Sequence, residues 1–118
     1  MPNTIDLESQ LGQFIGTEHY CFNPLYPWMK YTDGVAYFAE HAGCHWFLDI
    51  LGTELAAHVR RNPFMAITMS VKDSIANIVV TDGNDNNIWS RKEIYTDCPA
   101  GNWKFFLTDK VLMLTSEY

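Results

Sequence analysis

The chain changes texture at Asn62-Pro63. Before that point apolar residues recur every three or four positions. After it come short runs rich in Ile, Val, Met and Thr, punctuated by turn residues. The first spacing is that of helices and the second that of strands. Helices grouped first and strands second predict an α+β layer, not an alternating doubly wound sheet. The expected fold is about three N-terminal helices packed on one face of a C-terminal four- or five-stranded antiparallel meander. A chain of 118 residues suits one domain, with a helical half at 1–62 and a β half at 63–118.

The elements can be placed residue by residue. Thr4 caps a first helix, and Leu7, Leu11, Phe14 and Ile15 share its apolar face. Residues 17–30 read as an aromatic loop, because Pro24 and Pro27 argue against helix there. Thr32 caps a second helix, with Val35, Phe38, Ala39 and Ala42 at helical spacing and Gly43 as its stop. A third helix is expected from about Cys44 to Arg61. Cys44, Phe47, Leu48, Leu51, Leu55 and Val59 form one apolar face, and Trp46, Ile50 and Ala57 a second stripe, which makes it the central buried helix. Strands are predicted over Phe64–Val71, Ile75–Thr81, Ile88–Tyr95, Trp103–Leu107 and Val111–Thr115.

Charge narrows the function classes. There are 8 basic and 14 acidic residues, a net charge of −6. All of the excess lies in residues 1–59, where seven acids face Lys30 alone. A phosphate-backbone binder needs the opposite sign, so direct nucleic-acid binding is disfavoured. An acidic half either serves solubility alone or attracts a protein partner with a basic surface. A homodimer is a further option. No apolar run reaches the length that spans a bilayer, and no signal-peptide pattern opens the chain. Three cysteines, an odd number without a secretory signal, point to reduced thiols and a cytoplasmic setting. The expected binding residues are Trp28, Tyr31, Asp33, Glu40, His41 and Glu54, from the aromatic loop and the acidic helices.

Catalytic and metal motifs are weak. His41, Cys44 and His45 lie close together but lack the second ligand pair of a structural zinc site. Asp82, Asn84, Asn86 and Glu93 have calcium-loop spacing, yet strand-like flanks make this a hairpin turn. Cys44 lies on the apolar face of its helix, as a buried thiol does. No catalytic residue, metal or cofactor is therefore expected. The alternative is a small enzyme with a pocket between the aromatic loop and the third helix, using Asp33, Glu40, His41 and Asp49.

Phe14-Ile15-Gly16-Thr17-Glu18-His19-Tyr20, Tyr31-Thr32-Asp33-Gly34-Val35, Ala39-Glu40-His41-Ala42-Gly43, Trp46, Asp49 and the ending Thr115-Ser116-Glu117-Tyr118 carry a resemblance. Together they resemble a family of small uncharacterised bacterial proteins found on plasmids, phages and other mobile elements. The resemblance covers most of the chain. It implies a prokaryotic, cytoplasmic, mobile-element setting and transfers no catalytic role. In that setting a small acidic binding module fits an inhibitor of a host defence nuclease, an anti-CRISPR-like role.

Overall fold

The computed structural model describes residues 20–84 and 86–118. The helix expected at residues 4–16 lies outside them. Within them the chain forms one seven-stranded mixed sheet with two helices. Strands β1 (Tyr20–Phe22) and β2 (Lys30–Thr32) precede helices α1 (Asp33–Ala42) and α2 (His45–Glu54). Strands β3 (Phe64–Lys72), β4 (Ile75–Thr81), β5 (Asn87–Tyr95), β6 (Gly101–Thr108) and β7 (Val111–Leu114) follow. The spatial order is β1-β2-β7-β6-β3-β4-β5.

This overturns the expected three helices on a four- or five-stranded antiparallel meander. Two helices are described, and the sheet is larger and mixed. The segment read as an aromatic loop contains β1, and β2 starts at its last residue: β1 pairs antiparallel with β2, and β2 pairs parallel with β7. The later strands are not a simple meander either, because β6 returns to pair with β3 on the side away from β4. Three-residue strands beside prolines carry no periodicity of their own, so their partners decide them.

Local chemistry accounts for the helix limits. The Thr32 hydroxyl accepts the Val35 N–H at 3.2 Å, which caps α1. Gly43 closes it at φ 68°, a left-handed conformation that glycine adopts without Cβ strain, with its N–H on the Ala39 carbonyl. Helix α2 is shorter than expected. It gives way at Leu55 to a 3-10 turn, Leu55–Ala57, so the predicted run to Arg61 is not one helix. Trp46 and Ile50 are half-buried, so α2 is fully buried on one side only.

The pleat sorts the strands into two faces. Met65, Ile67, Met69 and Val71 of β3 alternate with Trp103, Phe105 and Leu107 of β6 on the buried face. Phe38 of α1 packs edge-on to Phe105 at 5.1 Å, and Phe47 of α2 meets the same ring at 5.1 Å. Both helices therefore cover this face. Their fully buried Phe38, Phe47, Leu48 and Leu51 supply most of the second layer, each stabilising by about 1.5–3 kcal/mol on burial. The opposite face presents Phe64, Ala66, Thr68 and Ser70 of β3 and Asn102, Lys104 and Phe106 of β6. A 3-10 turn, Thr115–Glu117, follows β7. It puts the Glu117 carboxylate within 2.7 Å of the Thr32 hydroxyl and 3.0 Å of the Leu114 N–H.

Candidate functional site

The aromatic segment between β1 and β2 is anchored on α2. The Tyr26 ring lies so close to Gly52 that a Cβ there would overlap it. Its hydroxyl donates to Asp49 Oδ1 at 2.8 Å. Burial, then the bond to Asp49 and its charge, push the Tyr26 phenol well above its ordinary range, because each disfavours tyrosinate. Trp28 donates its indole N–H to the Gly52 carbonyl at 2.8 Å. Tyr31 is half-buried, and its phenol is also raised, first by burial and then by Cys21 and Asp49. Leu25, 85% exposed, is the apolar side chain that this segment leaves in solvent at its tip.

The acids expected to act are spread over the helical layer. Asp33 lies in the first turn of α1, and its carboxylate accepts the Gly34 N–H at 3.1 Å. Glu40 and His41 are exposed at the other end of α1. Seven residues of helical rise, about 10 Å, separate Asp33 from Glu40. The His41 ring stacks on Tyr37 at 3.8 Å, and its Nδ1 lies 3.0 Å from the Tyr37 carbonyl. Glu54 is exposed at the end of α2. The structure thus brings Asp49 to Tyr26 and does not bring Asp33, Glu40, His41 and Asp49 to one point. Between them the two helices hold Asp33, Glu40, Asp49 and Glu54 and no Lys or Arg.

Cys44 is buried, whereas His41 and His45 are exposed. The Cys44 thiol donates to the Ala42 carbonyl at 3.4 Å, and the neighbouring buried Cys98, followed by burial itself, raises it far above the ordinary thiol range. Such a thiol is a poor nucleophile. Among the described residues no three His, Cys, Asp or Glu side chains group as a metal ion would require. Asp82 folds into a local turn: its carboxylate accepts the Asn84 N–H at 2.8 Å and the Asn86 side-chain amide at 2.8 Å. These bonds hold it below the usual carboxylate range. A hollow is lined by Val59, Pro63, Asp109 and Lys110 and by none of the acids of α1 and α2.

A feature absent from the sequence reading appears on the sheet. The seven strands carry Lys30, Lys72, Arg91, Lys92 and Lys104 against one acid, Glu93. Net charge hid this, because the acids of the second half sit mostly at hairpin tips such as Asp73, Asp82 and Asp109. The signal that would have found it is parity. In Trp103–Leu107, Lys104 alternates with the apolar residues, so it must point away from the core.

Among the described residues, fold and surface form two layers, with acidic helices over one side of a mixed sheet that carries Lys30, Lys72 and Lys104 on the other. The chain belongs to the family of unknown function DUF6876, whose model matches residues 5–118. No curated protein and no solved structure matches it. No helix among the described residues is long and apolar enough to cross a membrane.

Proposed function

We propose that this protein is a non-enzymatic binding module that docks a basic protein surface through its acidic helical layer. The observation that carries this reading is the composition of α1 and α2: four acids, no Lys or Arg, and Glu40, Asp49 and Glu54 exposed. Such a surface steers a basic partner into encounter and fixes its orientation. The resemblance to mobile-element proteins supports a cytoplasmic setting and a finer role, inhibition of a host defence nuclease whose nucleic-acid channel is basic. Trp28 and Tyr31 border the layer beside Asp49 and supply apolar contact at its rim.

The test is a cleavage assay with guide-loaded CRISPR effector nucleases, with and without this protein. The native chain inhibits an effector, and Asp33→Lys, Glu40→Lys and Glu54→Lys together slow its association and remove inhibition. Salt slows the native chain in the same way. Association that ignores both the reversal and salt sinks the docking reading. Inhibition of none of the effectors sinks the nuclease role.

A further inference from the structure

The face of the sheet that the two described helices do not cover has a charge and a texture of its own. Lys30, Lys72 and Lys104 all project from it and are all exposed. Strand pairing fixes their layout. Lys30 is level with Val111, Val111 with Thr108, and Thr108 with Phe64. Lys104 lies four residues further along β6, level with Thr68, and Lys72 four residues beyond Thr68 on β3. With about 3.3 Å per residue and about 4.8 Å between strands, the three ammonium groups mark a diagonal about 30 Å long. No acid occurs in β1, β2, β3, β4, β6 or β7.

Rings flank that diagonal. Phe64 and Phe106 lie 5.2 Å apart, and the Tyr118 ring packs on both, at 5.8 Å and 5.0 Å. Phe106 is two residues from Lys104 on the same strand, and so on the same face. Phe22, level with Lys30, is 58% exposed, and Tyr118 is 72% exposed. Phe22 and Tyr118 are thus exposed rings on the face that carries the lysines, and Phe64 and Phe106 are half-buried beneath Tyr118.

We propose that this sheet face binds single-stranded nucleic acid, with the lysines along the phosphates and the exposed rings under the bases. A row of ammonium groups with open rings towards its Lys30 end suits an unpaired strand, whose bases have free π-faces. A duplex hides those faces in its stack. An acidic peptide would use the lysines but gives the rings no partner. The chain's overall negative charge does not cancel the site. The acids of α1 and α2 lie on the other side of the sheet, and exposed charges further apart than about 8 Å are largely screened at physiological salt. The proposal is independent of the acidic helical layer, which lies on the other side of the sheet.

The test is fluorescence anisotropy of a labelled oligothymidylate of about 12 nucleotides, within the site sizes such surfaces use. Three phosphate contacts on a single strand predict a salt slope of about −2, hence roughly a 20-fold loss of affinity from 50 to 200 mM salt. Lys30→Gln, Lys72→Gln and Lys104→Gln together abolish binding; all three side chains are exposed, and circular dichroism checks that the fold persists. Tyr118→Ala weakens binding roughly 5- to 100-fold, as loss of one stacking ring does. The helix reversal Asp33→Lys, Glu40→Lys, Glu54→Lys does not weaken it, which separates this site from the proposed docking layer. No binding at low salt, undiminished binding by the triple glutamine variant, or equal binding of a duplex or of polyglutamate would each overturn the proposal.

Discussion

Thr32→Val removes one oxygen from a buried hydroxyl that makes two hydrogen bonds. Thr32 is fully buried, where its hydroxyl donates to Glu117 at 2.7 Å and accepts the Val35 N–H at 3.2 Å. The first bond ties β2 to the turn after β7; the second caps α1. Losing the cap costs about 0.5–2 kcal/mol. Losing a hydrogen bond to a buried carboxylate costs about 1.5–3 kcal/mol. The two share one atom, so full additivity is not expected. The destabilisation should be about 2–4 kcal/mol. Valine has nearly the same shape, so no cavity contributes. An unfolding entropy of about 2.1 cal/mol/K per residue gives about 0.25 kcal/mol/K for this chain, so Tm should fall by about 8–16 °C. Thr32→Ser keeps the oxygen and should cost less than half as much. Calorimetry, with urea unfolding as a second measure, reads both variants. A Thr32→Val protein within about 0.5 kcal/mol of the native chain would refute the reasoning, as would a serine variant equally destabilised.

Gly52→Ala should destabilise by about 1–3 kcal/mol, because the new methyl overlaps the Tyr26 ring and the packing must shift; urea unfolding checks it. The raised Tyr26 phenol sets a pH dependence of definite sign. Its folded pKa lies above the unfolded value of about 10, so its contribution is fully present below pH about 10 and declines at higher pH as the unfolded chain ionises first. Tyr26→Phe should flatten the stability profile above pH about 10, measured by urea midpoints. The buried Cys44 thiol, raised by Cys98 and by burial, should react with iodoacetamide in the native state only as fast as the chain opens, followed by mass spectrometry of the labelled peptide.

Much of the secondary structure was legible in the sequence. Thr32 and Gly43 mark the ends of α1 because capping is a contest among neighbouring backbone groups, settled within a few residues. The strands after Pro63 were legible because an alternating pattern between turn residues suits a half-buried strand and nothing else as well. Asp82–Asn86 read as a turn for the same local reason. The acidity of α1 and α2 was also legible, since an exposed helix surface shows its charges in order along the chain.

Tertiary structure decided the rest. Nothing near Tyr20–Phe22 or Lys30–Thr32 says strand; the parallel partner of β2 is β7, some eighty residues away. Nothing near Asp49 says that it will accept a hydrogen bond from Tyr26. Lys30, Lys72 and Lys104 fall on three separate strands, and only the register of β2 with β7, β7 with β6 and β6 with β3 lines them up on one face. The physical reason is that the side-chain period of a strand sets which face a residue takes, whereas the position of one strand beside another is set by pairing that no single segment contains.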